Sequence, residues 1–281
     1  MKVAEISVLM SVYQKEKPKY FAAAIKSTLD QSLLPQELVL VLDGPITNEL
    51  QTIIDANKDN GKVLIRVVPL KTNQGLGIAL AKGVTACQNE LIARMDTDDI
   101  MREDRLEKQY QAFLDNKNLT IVGSDIDEFT GDPSNVIGKR VVPETNKDIR
   151  QFSKKRNPFN HMTVMFKKSD VLAVGNYQAL NGFEDYYLWV RLLKAGYQGM
   201  NIKESLVYAR GGEDMYARRG GMNYFIYGLN ARKVIYQNGL GSLNDYFVSI
   251  SAHIVTSILP NRVRGFVYKK LLRQRGKLNE D

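Results

Sequence analysis

Leu91-Ile92-Ala93-Arg94-Met95-Asp96-Thr97-Asp98-Asp99 is the stretch on which the reading of this chain turns. It has the character of a buried strand that breaks at its carboxyl end into three acids within four positions. Crowded carboxylates raise the cost of ionising one another. A divalent cation with hard oxygen ligands, Mg²⁺ or Mn²⁺, is the natural partner that relieves that cost. The carboxyl ends of strands in an open α/β sheet are also where ligands collect. A second reading is a polar turn ahead of a helix at Arg102, with Asp99 as its cap. The Asp-x-Asp spacing alone leaves both open.

The same pattern recurs upstream. Ile6 to Val12 is an apolar run suited to a buried strand, ending in the polar loop Tyr13-Gln14-Lys15-Glu16-Lys17. Pro18 sits where a helix can start, with Phe21, Ile25 and Leu29 on its buried side. Leu38 to Leu42 is near-continuously apolar, as in a parallel sheet, and breaks at Asp43-Gly44-Pro45. A helix over Leu50 to Ala56 and a strand over Val63 to Pro69 lead to the loop Thr72-Asn73-Gln74-Gly75-Leu76-Gly77. A helix packing through Ile78, Leu80, Ala81 and Val84 then returns the chain to Leu91. This β-α alternation from residue 6 to about 115 implies a doubly wound sheet. The glycine loop lacks the dinucleotide Gly-x-Gly-x-x-Gly spacing, and there is no Walker A lysine motif. Asp43, Gly75, Asp96 and Asp98 are expected at one sheet edge, around a nucleotide with a metal.

Downstream of Leu119-Thr120-Ile121-Val122-Gly123 the pattern changes. Asp125 to Gly138 reads as an excursion or hairpin, with a strand over Val136 to Val142. Ile149 to Lys155 reads as a short helix. The turn Asn157 to His161 leads into an expected strand, Met162 to Phe166. Glu184 and Asp185 open a helix whose positive end favours them, with Leu188, Leu192 and Leu193 as its core side. Capping accounts for that acid pair as readily as chemistry does, and Arg191 is expected to pair with Glu184 or Glu204. Gly211 to Gly221 places two glycine pairs around Arg218 and Arg219, which suits a lid over phosphates or a surface loop.

With 281 residues, 44% apolar and 25% charged, the chain can bury a sizeable core. A single cysteine, Cys87, excludes a disulfide framework and a cysteine metal site and fits a cytoplasmic setting. The opening Met1-Lys2-Val3-Ala4-Glu5-Ile6 does not have the form of a secretory signal. The net charge of +8 and pI near 9.3 favour anionic partners. The excess concentrates in Arg262, Arg264, Lys269, Lys270, Arg273, Arg275 and Lys277, with no acid among them. Just before it, Tyr246, Phe247, Ile250, Ile254, Ile258 and Leu259 recur at helical spacing over a run too short to span a bilayer. An amphipathic helix followed by a basic segment suits an anionic membrane surface; a C-terminal helix packed on the body with a solvated basic end is the other reading.

Six pieces in order then carry a family resemblance: Ser7 to Tyr13, Val41 to Gly44, Asn73 to Leu76, Asp96 to Asp99, Asn160 to Met165 and Glu184 to Arg191. Together they resemble the family 2 glycosyltransferases, especially bacterial members that build capsule, exopolysaccharide or O-antigen units. The resemblance implies an α/β GT-A nucleotide-sugar fold, a doubly wound, mainly parallel sheet flanked by helices. Residues 1–221 would form it, as a nucleotide-binding half (1–115) and an acceptor-binding half (116–221), with 222–281 a basic helical extension. It implies an inverting, metal-dependent transfer from a nucleotide-diphosphate sugar, a UDP-sugar foremost, to a glycan or polyprenyl-diphosphate-linked acceptor at the inner face of the cell membrane. In that scheme Asp43 holds the base, Val12, Tyr13, Gly75, Asp96 and Thr97 complete the nucleotide site, and Asp98 with Asp96 holds Mn²⁺ or Mg²⁺. Asp185 is the general base, Glu184, Trp189 and His161 shape the acceptor site, and Arg218 and Arg219 meet the departing diphosphate. Leu42 stands where the family often has a second acid beside Asp43.

The chemistry is coherent without the family. A sugar hydroxyl needs a positioned carboxylate to take its proton, and a departing diphosphate needs a metal and arginines. A sugar nucleotidyltransferase is the nearest alternative, but Tyr13 to Lys17 lacks the glycines its loop would need. A non-catalytic basic adaptor for membrane or nucleic acid would leave the acidic strand ends unexplained; no nucleic acid is expected.

Overall fold

Strand β1 (Lys2–Val12) is buried on both sides from Ile6 to Met10. Ile6, Val8 and Met10 belong to one core cluster and Leu9 to another, the arrangement of a central strand between two helical layers. The computed structural model describes residues 2–211 and 222–258. Helix α1 (Pro18–Leu29) carries Pro at its start, as its missing N–H allows, and buries Phe21 and Ile25. Strand β2 (Leu33–Leu42), helix α2 (Asn48–Lys58, capped by Thr47), strand β3 (Leu64–Pro69), helix α3 (Leu76–Ala86) and strand β4 (Leu91–Arg94) complete the first half. The four strands pair in parallel in the order β3-β2-β1-β4. Chain direction across the sheet reverses beside β1, which places a ligand crevice outside the carboxyl ends of β1 and β4.

The second half turns the sheet mixed. It comprises β5 (Ile100–Met101), α4 (Arg105–Asp115), β6 (Leu119–Phe129), β7 (Val136–Arg140), α5 (Asn146–Phe152), a 3₁₀ turn at His161–Thr163, β8 (Met165–Lys167), α6 (Lys168–Ala173), α7 (Glu184–Lys194) and β9 (Gln198–Arg210). β8 runs antiparallel to both β4 and β6, β9 runs parallel to β6, and β7 and β5 add antiparallel pairings to β6 and β9. One core holds residues of α1, α2 and α4, the other residues of α3, α6 and α7, so the sheet lies between two helical layers. Gly83 of α3 is seated so closely that a Cβ there would meet Leu9 Cδ1 at 2.3 Å and Val41 Cγ2 at 2.9 Å.

Helices α8 (Met222–Asn238) and α9 (Leu243–Ile258) follow. Ala231 and Ile235 of α8 pack on Phe183, Tyr186 and Val190 of the α7 region. Tyr236 stacks on Tyr246 and Phe225 on His253, so α9 runs back along α8. Among the described residues no helix is long and apolar enough to cross a membrane.

Four local expectations change. The helix expected at Arg102 starts at Arg105, and Asp99 is not its cap: its Oδ1 accepts from the Arg210 backbone N–H at 2.7 Å. The strand expected over Met162 to Phe166 is divided between the 3₁₀ turn and β8, because Thr163 Oγ1 turns back to the Asn160 carbonyl. Arg191 pairs with neither acid; its guanidinium donates to the carbonyls of Val174, Asn176 and Tyr187, joining the end of α6 to α7. The strand expected over Val136 to Val142 ends at Arg140.

Candidate functional site

A cavity of about 750 Å³ opens at the carboxyl ends of the parallel strands. The β1–α1 loop supplies Tyr13, Lys15, Glu16 and Lys17; β2 ends at Asp43; the β3–α3 loop brings Asn73 and Gly75; the turn after β4 brings Asp96, Thr97 and Asp98. Thr130 and Gly131 from the β6–β7 hairpin and Arg210 from the end of β9 close the far side.

Each acidic loop is tied down by a specific neighbour. Asp43 Oδ1 accepts from Gln74 N at 2.7 Å and Oδ2 from Gly75 N at 3.0 Å, so this carboxylate holds the glycine loop in place. Gly75 sits at φ +86°, a conformation that favours glycine, at the start of α3. A Cβ on Gly44, also at φ +86°, would fall 2.6 Å from Asn73 N, so the two loops touch through backbone. Thr97 Oγ1 donates to Glu16 Oε2, linking the acidic turn to the β1–α1 loop.

Carboxylate oxygens of Asp96, Asp98 and Asp99 lie within 4.8 Å of one another. Asp96 is paired with Arg94, a guanidinium 2% exposed inside the sheet. Arg94 Nε and Nη1 have no hydrogen-bond partner among the described residues. Burial, then the charges of Asp98 and Asp96, push the Asp99 carboxyl well above the usual carboxylate range. A buried acid destabilised by two neighbouring acids, with all three oxygen sets in reach of one point, fits a hard divalent cation. Arg210 spans this turn: its backbone N–H binds Asp99, its Nε donates to the Asp98 carbonyl at 3.0 Å, and its guanidinium lies 3.8 Å from the centre of the Tyr20 ring.

The acid pair of α7 forms a second centre. Asp185 Oδ2 accepts from Asn157 Nδ2 at 2.6 Å. Burial raises its pKa, against the Tyr186 N–H, Asn157 and Arg94, which stabilise the charge. Burial and then Asp185 raise Glu184 likewise. A Cβ on Gly77 would lie 3.3 Å from Glu184 Cβ, so α7 starts against the first turn of α3, just past Gly75. His161 Nε2 is 2.9 Å from Tyr177 Oη, and burial followed by Arg94 holds the imidazole well below its ordinary pKa, hence neutral.

Of the residues singled out in the sequence, Tyr13, Asp43, Gly75, Asp96, Thr97 and Asp98 line the cavity. Val12 does not: its side chain is fully buried and its carbonyl accepts from Asp43 N at 2.8 Å. Trp189 is corrected as well. It is fully buried among Phe159, His161, Phe166 and Tyr177 and faces the core, because its position on α7 is on the side of Leu188 and Leu192. Glu184, Asp185 and His161 stand outside the lining of this cavity. Arg218 and Arg219 lie outside the described residues. Glu16, Arg94, Asn157 and Arg210 were missed. Only Arg94 left a signal, a charge inside an apolar strand two residues before an acid.

Comparison with known proteins bears on this geometry. The profile of Glycosyl transferase family 2 matches residues 7–172. The chain is 35% identical over 270 residues to the Escherichia coli UDP-Gal:alpha-D-GlcNAc-diphosphoundecaprenol beta-1,3-galactosyltransferase, covering 96% of this chain and 97% of that protein. It is 36% identical over 268 residues to the amylovoran biosynthesis glycosyltransferase AmsE of Erwinia amylovora, covering 94% and 98%. In fold it resembles S. aureus TarS (1–349) in complex with UDP-GlcNAc, with a TM-score of 0.65 at 18% identity over 96% of this chain and 77% of that one. The Pyrobaculum calidifontis mannosyltransferase PcManGT in complex with GDP-Man and Mn²⁺ gives a TM-score of 0.64 at 14% identity, over 94% and 80%.

Proposed function

The chain belongs to glycosyl transferase family 2, and from that premise we propose that it moves a hexose, galactose foremost, from a UDP-sugar to a lipid-linked glycan acceptor, with inversion at the anomeric carbon. The observation that carries the reading is the three-acid turn at the floor of a nucleotide-sized cavity, beside the strand-order reversal. The E. coli relative's UDP-galactose donor and diphosphoundecaprenol-linked acceptor, on a chain of nearly equal length, support the choice of substrates.

Asp43 and Tyr13, backed by Val12, hold the base, and Gly75, Asp96 and Thr97 complete the nucleotide site. Asp98 and Asp96, with Asp99 behind them, would hold Mn²⁺ or Mg²⁺. Such a cation, when bound, neutralises charge on the diphosphate. Asp185 accepts the proton of the acceptor hydroxyl as its oxygen attacks the anomeric carbon. The bond from that carbon to the diphosphate oxygen breaks, and the electron pair leaves with the nucleoside diphosphate. Asn157 keeps Asp185 oriented for this. Glu184 and His161 shape the acceptor side, Trp189 holds α7 from within the core, and Arg218 and Arg219 meet the leaving diphosphate. Residues 1–221 form the transferase unit and 222–281 an extension that brings it to the cytoplasmic face of an anionic membrane.

The reading is tested by thermal shift with UDP-Gal, UDP-Glc, UDP-GlcNAc and GDP-Man, each with Mn²⁺ and with EDTA. Ligands that bind only the folded state raise the melting temperature by mass action. UDP-Gal is expected to stabilise most, and only with metal; no shift with any donor would sink the assignment.

A further inference from the structure

Helix α9 buries three polar side chains beside the half-buried Tyr246, Ile250 and Ile254, and leaves large apolar ones exposed. Its inward side carries Asp245, Ser249 and His253, spaced four residues apart and all at most 9% exposed. Each is satisfied by the body of the protein. Asp245 accepts from Ser242 N at 2.9 Å and pairs with Lys155 at 3.2 Å. Ser249 bonds the Arg232 guanidinium and donates to the Lys155 carbonyl at 3.3 Å. His253 Nε2 meets the Phe225 carbonyl at 3.1 Å, and its ring stands edge-on to Phe183. The outward side holds Leu243, Asn244, Phe247, Val248 and Ser251, with no charge among them. Leu243 is 60% exposed, Phe247 63% and Val248 46%. On α8, Met222, Ile226 and Tyr227 are exposed as well.

A helix on a water-facing surface buries its apolar side and shows its polar one. Large apolar side chains left on the outer side, with no charge among their neighbours, suit a helix whose outer neighbour is apolar. We propose that the outer side of α9 lies in the interfacial region of an anionic lipid bilayer, with Leu243, Phe247 and Val248 inserted. Charge selects lipid over a second copy of the chain. Beyond the described part of α9, residues 262–277 hold seven Lys and Arg and no acid. Apolar insertion beside a cluster of basic residues is the two-part recognition of an anionic membrane, whereas two copies meeting there would bring two such cationic segments together. The placement also joins the two ends of the reaction. His253 contacts Phe183, the residue immediately before Glu184 and Asp185, so the bilayer-facing helix is anchored at the root of the acid pair. This proposal rests on the reading of the acceptor as lipid-linked.

The test uses the full chain and vesicles of phosphatidylglycerol and phosphatidylcholine in about equal parts, with pure phosphatidylcholine as the control. Leu243→Ser/Phe247→Ser/Val248→Ser is expected to weaken vesicle binding by at least about tenfold while the chain stays folded with at most a small drop in melting temperature, since all three side chains are largely exposed. Lys269→Gln/Lys270→Gln/Arg273→Gln should remove the preference for anionic vesicles while the triple serine variant keeps it. Vesicle binding by the triple serine variant equal to the native chain's would overturn the proposal. So would a native dimer in vesicle-free solution that the serine variant converts to a monomer. Turnover on a short, water-soluble GlcNAc-diphosphate acceptor separates the two readings. Retained by the serine variant while vesicle binding is lost, it supports the membrane surface; native protein that binds vesicles yet transfers to no diphosphate-linked acceptor removes the acceptor assignment and leaves the surface standing.

Discussion

Arg94 is a permanent cation sealed inside the sheet, and among the described residues its ion-pair partner is Asp96 at the cavity floor. Breaking a buried pair by deleting one member leaves the other charge uncompensated. Arg94→Met is therefore expected to lower stability by about 1–3 kcal/mol, measured by urea unfolding, less than for a fully sealed pair because Asp96 reaches the cavity. Arg94→Lys keeps the charge but loses the planar fork and should recover only part of that stability. This pairing was legible in principle. Asp96 follows two residues after Arg94, just past the end of β4, within reach of its side chain, whereas Glu16 and Arg210 come to the turn from 81 and 111 positions away and leave no local trace. Asp185 is exposed to a sharper test. Asp185→Asn is expected to cut kcat by roughly 10²–10⁴-fold while the donor-dependent thermal shift survives, and near-native turnover would remove it as the base.

At the scale of elements, α7 explains both what was read correctly and what was not. Its start at Glu184 and its core side of Leu188, Leu192 and Leu193 follow from periodicity. Trp189 lies on that buried arc, and only the assembled packing shows that the arc faces Phe159 and Phe166. Trp189→Ala should cost about 3–5 kcal/mol and leave the acceptor KM of the folded fraction near native. The acid pair gives the helix a pH signature. Both carboxyls titrate above their unfolded values of about 3.9 and 4.3, so the native state binds more protons than the unfolded chain. Stability then falls as pH rises from about 4 through the raised native values, and Glu184→Gln should flatten that slope in urea melts. With Asp185 as the proposed base, acting ionised, the acid limb of kcat/KM should lie above that of an ordinary aspartate.

Across the whole molecule, the parallel half was readable because strands covered on both sides carry near-continuous apolar runs, as in Val8–Met10 of β1 and Leu38–Leu42 of β2. The mixed half was not. β5 is two residues long, β8 three, and β9 carries Lys203 and Glu204 in its middle, so their pairings depend on partners distant in the chain. What unites the halves mechanically is the seat of α3. With no side chain at Gly83, the helix rests directly on Leu9 and Val41, and its first turn, around Gly75 and Gly77, stands between the donor cavity and Glu184. Gly83→Ala should cost about 1–3 kcal/mol by overpacking, read as a lower melting temperature. Position 83 thus works as a spacer gauge. An added atom there would push on α3, whose first turn lies between the cavity and Glu184, so under the proposed roles the spacing between donor-side and acceptor-side acids depends on the absence of one methyl group.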